Sequence, residues 1–286
     1  RIMKTPRLTV LLLGLACLSL TCLTASGQTV QGGQRVNPME IKLPSVGFPA
    51  GKSFVEVPFE VDSNHMIIPV SVNNSRPLRF VFDTGAQGAI LYNAGAIDSS
   101  KLKITGKFQV RGAGSGPVTE ASMAEDVTFN IGGLVLSGDR IAIMPPGARS
   151  PMSANRDGVI GRSVFASFVV EVDWETRTIK FYDPAKYKYT GKGAILPLTF
   201  DEGGRPYTMA TAVITDNNPI PVKLVVDTGA SISLSLDIGS HPGIKQPEGA
   251  MKTVLGRGGN GEFTGYSGRV KSLHLGSHAV NDLATD

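Results

Sequence analysis

The feature that most constrains the fold of this chain is a repeat of its own sequence at a fixed distance. A shift of 144 residues places Asp83 on Asp227 (227 − 83 = 144) and needs no gap over roughly sixty residues. The segments that coincide are Asn73-Asn74 with Asn217-Asn218, Pro77 with Pro221, Phe80–Phe82 with Leu224–Val226, Asp83–Ala86 with Asp227–Ala230, Gly112 and Gly114 with Gly256 and Gly258, and Ile131-Gly132 with Leu275-Gly276. Such a repeat predicts two lobes related by internal duplication.

From Ser53 onward the sequence consists of short runs rich in Val, Ile and Phe, broken by Gly, Asn and Pro, and no long helical period competes with them. The expected strands are Phe54–Val61, Met66–Val72, Leu78–Phe82, Ser122–Ile131, Leu134–Leu136 and Arg140–Met144, followed by a hairpin of Phe168–Val172 and Thr178–Tyr182. A short helix is expected around Ser163–Ala166. This pattern predicts an all-β fold.

The repeat also suggests how the chain is divided. We expect a leader at 1–27, an N-terminal extension at 28–52, a first lobe at 53–185, a linker at 186–194 and a second lobe at 195–286. By the same offset the equivalent of Gly161 would be residue 305 (161 + 144), beyond Asp286. The second lobe is therefore expected to be incomplete in this chain.

The first 27 residues have the three parts of a secretory signal peptide. Residues 3–7 form a short start with two basic residues, Lys4 and Arg7; residues 8–23 are apolar apart from Thr and Ser, and Ala25-Ser26-Gly27 offers small residues for cleavage before about Gln28. The apolar stretch is shorter than the roughly 20 residues of a membrane span, although a retained anchor is the alternative. The expected location is the periplasm, the cell surface or the medium, with membrane contact only through the export signal.

Both cysteines, Cys17 and Cys22, fall in this leader, so the mature chain is expected to use neither disulfides nor thiol chemistry. The leader also holds three basic residues and no acid. The remainder has 28 − 3 = 25 basic against 24 acidic residues, a net charge of +1. That balance gives no support to nucleic acid as a partner.

The repeated tripeptides Asp83-Thr84-Gly85 and Asp227-Thr228-Gly229 each end an apolar strand. The glycines permit a sharp turn, and the threonine hydroxyls can bond across to the opposite loop. If the two loops meet, two carboxyl groups lie at hydrogen-bond distance and hold one proton between them, because like charges so close cannot both ionise. The ionised group can then accept a proton from water while the protonated one donates to a carbonyl oxygen.

On these residues the sequence resembles the retropepsin-like aspartic proteases, in particular tandem-repeat bacterial forms that carry a signal peptide. The resemblance covers Ser53 to the end of the chain. Besides the two catalytic-type loops, Val110–Val118 and Val254–Phe263 are similar to the family's flaps, with Gly112, Gly114, Gly116, Gly256 and Gly258 as gating positions. Val159-Ile160-Gly161-Arg162 is similar to the segment that packs behind the first loop, which implies packing roles for Ile160 and Gly161.

The sequence departs from viral members in two ways. Gly88 and Ile232 stand where those often carry an acidic residue, so substrate contacts there cannot be transferred. Ala86 and Ala230 lack a hydroxyl that could donate to the carboxylates. Because losing a donor to the charged form raises a carboxyl pKa, we expect a mildly acidic optimum.

Two other patterns in the sequence would indicate a nucleotide site or a metal site, and neither has the context that such a site needs. Gly256–Gly261 matches a dinucleotide-binding glycine motif, but Gly and aromatic residues follow it instead of a helix, so a flap or hairpin is favoured. His274 and His278 would suit a metal only on a helix; their segment alternates like a strand, and no third ligand is evident, so no metal is expected.

The resemblance thus implies an aspartic endopeptidase that acts on protein or peptide substrates as a monomer, without cofactor, through an Asp83–Asp227 dyad. A catalytically silent peptide-binding or scaffolding protein that retains the cleft is the first alternative. A homodimeric enzyme in which the first lobe pairs with its own copy is the second.

Overall fold

The computed structural model describes residues 10–12, 43–112, 114–147, 155–215 and 218–286. Within these residues the chain is nearly all β and forms two lobes, as the sequence predicted. The strands of the first lobe are β1 (Val10–Leu12), β2 (Ser45–Gly47), β3 (Phe54–Pro58), β4 (Glu60–Asp62), β5 (His65–Val72), β6 (Leu78–Phe82), β7 (Ala89–Leu91), β8 (Lys103–Val110), β9 (Thr119–Ile131), β10 (Leu134–Ile143), β11 (Gly158–Ile160), β12 (Val169–Asp173) and β13 (Thr178–Tyr182). Its helical elements are α1 (Arg162–Ser167) and two 3₁₀ turns, Ala94–Ala96 and Ser99–Lys101.

The main sheet of the first lobe closes on itself. Its strands follow the order β10-β7-β11-β6-β5-β9, and β9 pairs again with β10. Strand β6 lies inside this ring, antiparallel to β5 and parallel to β11. A smaller sheet of order β1-β12-β13-β3 packs against it, and residues of both sheets share one core.

Strand β6 is buried on both faces, which fits its continuous apolar sequence. Phe80 and Phe82 are fully buried in the main core, while Val81 lies on the other face with Ile67 and Val159. Each fully buried Phe contributes about 1.5–3 kcal/mol of transfer free energy. The strand that ends at Asp83 is thus fixed by packing from both sides.

The second lobe is built from β14 (Thr199–Phe200), β15 (Pro206–Val213), β16 (Pro219–Val225), β17 (Thr253–Gly258), β18 (Gly261–Gly265), β19 (Gly268–Leu275) and β20 (His278–Thr285). Strands β14, β15, β19 and β20 form one sheet in that order, and β16 pairs with β15. Strands β9 and β19 end at Ile131 and Leu275, and β10 and β20 begin at Leu134 and His278. Both differences equal the 144-residue offset.

Three details differ from the sequence prediction. The run Phe54–Val61 is two strands, because the chain passes at Phe59 from a pairing with β13 to a pairing with β5. The two strands expected at Leu134–Leu136 and Arg140–Met144 are one, β10, whose register shifts near Gly138, a glycine with φ of 79°. Strands β1, β2, β7, β8 and β11 were not predicted as strands; in β8 all but one of the residues are exposed, so its sequence lacks the alternation of a half-buried strand.

The predicted leader lies outside the described residues except for β1, which pairs antiparallel with β12. No helix in the described ranges is long and apolar enough to span a membrane. The signal peptide and the domain limits drawn from the sequence remain predictions.

Candidate active site

The two Asp-Thr-Gly loops follow β6 and β16 and meet where the lobes join. The hydroxyl of Thr84 accepts the backbone N–H of Thr228 at 2.9 Å, and the hydroxyl of Thr228 accepts that of Thr84 at 3.1 Å. Each hydroxyl also donates to the opposite strand end, Thr84 to the Val226 carbonyl at 2.6 Å and Thr228 to the Phe82 carbonyl at 2.8 Å. Four hydrogen bonds thus tie the bases of the loops together.

This junction brings the two carboxyl groups against each other. A Cβ added to Gly85 would lie 2.6 Å from Oδ2 of Asp227, and one added to Gly229 would collide with the carboxyl of Asp83. Only glycine leaves room for such an approach, so Gly85 and Gly229 permit the pairing as well as the turn. Each carboxyl group therefore lies against the glycine of the opposite loop, and Asp227 is close enough to Asp83 to raise its pKa.

Backbone amides orient both carboxyl groups. Oδ1 of Asp83 accepts N–H groups from Gly85 at 2.7 Å and Ala86 at 3.1 Å. Oδ1 of Asp227 accepts the N–H of Gly229 at 2.8 Å. The two loops thus hold Oδ1 of their acids in the same way.

The protonation of Asp83 differs from that of an ordinary carboxyl. Burial raises its pKa from 3.8 to about 7, and the neighbouring charge and hydrogen bond of Asp227 act in the same direction. The amides of Gly85 and Ala86 oppose the shift but do not cancel it. The pair is therefore disposed to retain one proton near neutral pH.

Ile160 and Gly161 lie directly behind the first loop. The Ile160 carbonyl accepts the N–H of Asp83 at 3.0 Å, and the Ala86 carbonyl accepts the N–H of Arg162 at 3.1 Å. A Cβ on Gly161 would lie 2.6 Å from the carbonyl oxygen of Asp83, so a larger residue would displace the loop. Helix α1 starts at this point and packs Phe165 against Phe82 with ring centroids 4.4 Å apart.

A turn from each lobe reaches the loop of the other. In the first lobe, Nδ2 of Asn64 donates to the carbonyl of Ser231 at 3.1 Å. In the second, the turn at Gly203 lies against the Gln87 side chain. Gln87 and Ser231 hold equivalent positions, four residues after Asp83 and Asp227, so the two crossings are related by the repeat.

The two glycine-rich segments contact each other at their tips. The N–H of Gly112 donates to Oδ1 of Asn260, and Nδ2 of Asn260 donates to the carbonyl of Pro117. The backbone N–H of Ser115 donates to the Glu262 carbonyl at 3.0 Å. Asn260 is buried by these contacts. Sequence reasoning identified the glycines but missed Asn260, whose only signal was a polar side chain within a glycine-rich turn.

The predicted gating glycines occupy different places in this arrangement. Gly112, Gly114 and Gly116 all lie against residues 259–261. Gly258 ends β17 opposite Gly261, whereas Gly256 lies farther back, against the ring of Phe263. Strands β17 and β18 form an antiparallel hairpin, so the hairpin interpretation of Gly256–Gly261 is confirmed over the dinucleotide motif.

The strands that lead into the two Asp-Thr-Gly loops differ in their number of neighbouring strands. Strand β6 has partners on both sides, whereas in the described part of the second lobe β16 pairs with β15 alone. Asp83 is half-buried and Asp227 is exposed, as this difference would produce. The charge of Asp227 is accordingly better hydrated than that of Asp83.

Comparison with known proteins places these features in context. The sequence model of a family described as aspartyl protease matches residues 68–164 and 210–286, more than half of the chain, and both segments contain an Asp-Thr-Gly loop. No curated protein matches the chain significantly. Among solved structures, the crystal structure of a retropepsin-like aspartic protease from Rickettsia conorii matches with 18% sequence identity and a TM-score of 0.30, over 49% of this chain and 95% of that one.

Proposed function

This chain belongs to the aspartyl protease family whose sequence model it matches, and from that premise we propose that it is an endopeptidase of the retropepsin-like type whose catalytic dyad is Asp83 and Asp227, one from each lobe. The observation that carries the proposal is the contact of the two carboxyl groups, braced by the reciprocal hydrogen bonds of Thr84 and Thr228. An ordinary pair of turns has no reason to bring two acids together at a lobe junction, since their repulsion is unfavourable unless a proton is shared.

The two acids would have different roles. Asp83 has the raised pKa of about 7 and is assigned as the proton donor. Asp227 is the more exposed of the two and is assigned as the base. Environments that separate the behaviour of two carboxyl groups in this way are typical of acid–base pairs.

In the proposed reaction, a water molecule held between the carboxyl groups loses a proton to Asp227 while its oxygen forms a bond to the peptide carbonyl carbon. Asp83 donates its proton to the carbonyl oxygen, which gives a neutral tetrahedral diol. On collapse of the diol, one hydroxyl returns a proton to Asp83, the C–N bond breaks, and the leaving nitrogen takes the proton from Asp227. Both carboxyl groups return to their initial states, so the cycle balances without a further reagent.

The substrate would be a protein or peptide that lies extended between the dyad and the two glycine-rich hairpins. The contacts of Asn260 with Gly112 and Pro117 support a gating role, because they must open for a chain to enter. The dyad is intramolecular, which supports action as a monomer. Export through the predicted leader is part of the same proposal.

The test is cleavage of a diverse peptide library by the purified chain between pH 3 and pH 8. We expect cleavage by the wild type and at least about a thousandfold lower kcat/KM for Asp227→Asn, the range seen when one member of a catalytic unit is removed. Asp237→Asn, an exposed acid in the same lobe, serves as the matched control and should remain active. Retained cleavage by Asp227→Asn would refute the dyad and would favour a homodimeric site built from the first lobe.

The silent peptide-binding alternative has its own signature. Peptide binding by the wild type with no cleavage at any pH in this range would overturn the enzyme proposal and support that alternative.

A further inference from the structure

A cavity of about 300 Å³ opens on the first lobe, outside the dyad itself. Three segments distant in sequence form its wall: the start of β6, the end of β7 and the residues before β11. The lining residues are Arg76, Arg79, Tyr92, Asn93, Asn155, Arg156 and Asp157. Three of these seven side chains are guanidinium groups, so the cavity is rich in donors suited to an anion.

Arg156 is the most unusual of them. Its side chain is 4% exposed, and among the described residues neither Nε nor Nη1 has a hydrogen-bond partner. Nη2 donates to the carbonyl of Asp62 at 3.0 Å, while the Asp62 carboxyl is 3.8 Å from Nε, too far for a hydrogen bond. A buried charged group with unused donors is unfavourable on its own, which indicates that a ligand completes it.

The other charged side chains that line the cavity do not bind the unused donors of Arg156. Arg79 is engaged by Glu60 at 2.5 Å and by the Asn155 carbonyl at 2.9 Å. The Asp157 carboxyl already accepts the N–H of Arg79 at 2.9 Å and an amide proton of Asn93 at 2.9 Å. Arg76 is exposed and donates to the neighbouring Pro77 carbonyl at 3.2 Å. Among the described residues, the exposed Arg76 and the Nε and Nη1 donors of Arg156 thus remain for an incoming anion.

The cavity lies on the dyad side of the sheet. Side chains alternate along β6, with Phe80 and Phe82 in the core and Arg79, Val81 and Asp83 on the opposite face. Arg79 and Asp83 are four residues apart, or about 13 Å at 3.3 Å per residue. An extended peptide spans that separation in about four residues, so a substrate that runs from the dyad towards the cavity could place a side chain in it a few residues from its scissile bond.

Tyr92 links the two places. It lines the cavity and also packs with Ile90 and Val81 on the face that carries Asp83. Burial raises the pKa of its phenol to about 12, the charge of Asp83 adds to the shift, and the charge of Arg156 opposes it. The charges of Asp83 and Arg156 thus both act on the phenol of Tyr92, as expected if this side chain forms the wall between the dyad and the cavity.

We propose that this cavity is a specificity subsite for a carboxylate of the peptide substrate, bound by Arg156 and Arg76. The inference rests on the proposed function, because it assigns the cavity to the same cleft. A guanidinium group offers paired donors that match the two oxygens of a carboxylate, which a neutral amide cannot replace. The protein is therefore expected to prefer an acidic residue near the scissile bond.

The experiment compares peptides that differ only in Glu or Gln at each position around one cleavage site. We expect kcat/KM to be about tenfold to a hundredfold higher for Glu at one position, as for a charged hydrogen bond gained in a protected site. The ratio should fall towards one in Arg156→Gln. Because buried Arg156 also supports the fold, Arg76→Gln is a second variant at an exposed position and should lower the ratio as well. Lys192→Gln, which removes an exposed charge between the lobes, should leave it unchanged.

Three further comparisons make the outcome decisive. Peptides with a free or an amidated C-terminus distinguish a terminal carboxylate from a side-chain carboxylate as the bound group. Binding of the Glu and Gln peptides to Asp227→Asn, followed by fluorescence anisotropy, tests the subsite without cleavage, so failure of the proposed function is recognised separately. Equal binding and equal cleavage of the two peptides, or a Glu preference that survives both arginine substitutions, would overturn the subsite.

Discussion

Thr84 and Thr228 exchange hydrogen bonds across the junction of the lobes, each hydroxyl accepting the backbone N–H of the other residue at 2.9 and 3.1 Å. Thr84 is buried, so water has little access to replace these contacts. The positions of Asp83 and Asp227 therefore depend on the hydrogen bonds of Thr84 and Thr228 as well as on contacts of the carboxyl groups themselves.

Substitution of Thr84 should affect stability and activity together. Thr84→Ala removes the acceptor of the Thr228 N–H and the donor to the Val226 carbonyl, and buried groups left unsatisfied cost about 1–3 kcal/mol each. We expect a fall in Tm of at least about 2 °C and lower kcat/KM. Thr84→Ser keeps the hydroxyl and is the matched control; if it is impaired as much as Thr84→Ala, the hydrogen bonds are not the cause.

The pH dependence of cleavage should follow the single proton of the dyad. Activity should decline as pH rises through about 7, where Asp83 loses the proton it must donate. Activity should also decline at low pH, where the dyad binds a second proton and can no longer accept one from water. A profile of kcat/KM from pH 3 to pH 9 measures both limbs. Full activity maintained to pH 9 would contradict the role given to Asp83.

The same shift predicts a pH-dependent stability. The pKa of Asp83 is raised in the folded state, so its contribution to stability is fully present below the unfolded value of about 3.9 and is lost as pH rises through about 7. Asp83→Asn is neutral at every pH and escapes this loss. Its Tm relative to wild type should therefore rise between pH 4 and pH 8 in thermal unfolding experiments. A constant difference would show that Asp83 is not perturbed.

The contact between the glycine-rich hairpins can be tested at Asn260. Asn260→Ala removes the acceptor for Gly112 and the donor to Pro117, so the tips should separate more readily. We expect faster hydrogen exchange at the amides of Gly112, Ser115 and Gly116 and a KM raised severalfold. Asn260→Asp retains the acceptor alone and should fall between wild type and Asn260→Ala. Unchanged exchange in Asn260→Ala would show that Asn260 does not hold the tips together.

Local patterns in the sequence were sufficient for the two loops and for most strands of the first lobe. An apolar run that ends in Asp-Thr-Gly fixes a strand and a turn without reference to distant residues, and the hairpin of β12 and β13 follows from alternation around a polar turn. The mildly acidic optimum was expected from the missing hydroxyls of Ala86 and Ala230. The structure adds burial as the first cause of the raised Asp83 pKa, a property that depends on tertiary packing.

Other features depend on contacts that the sequence does not reveal. The arginine cavity joins residues 76–79, 92–93 and 155–157, whose proximity follows from the pairing of β11 with β6 and β7. Asp227 is more exposed than Asp83 because, in the described residues, β16 has fewer neighbouring strands than β6. The two loops nevertheless have the same Asp-Thr-Gly-Ala sequence. Asn260 acquires its role only when two hairpins meet.

The most direct measurement is a titration of the carboxyl carbons of Asp83 and Asp227 by NMR of the labelled protein. If the two acids share a proton, Asp83 titrates near pH 7 and Asp227→Asn lowers the pKa of Asp83, because Asp227 helps to hold that proton. Ionisation of both groups by about pH 5, with neither affected by substitution of the other, would contradict a shared proton and with it the proposed mechanism.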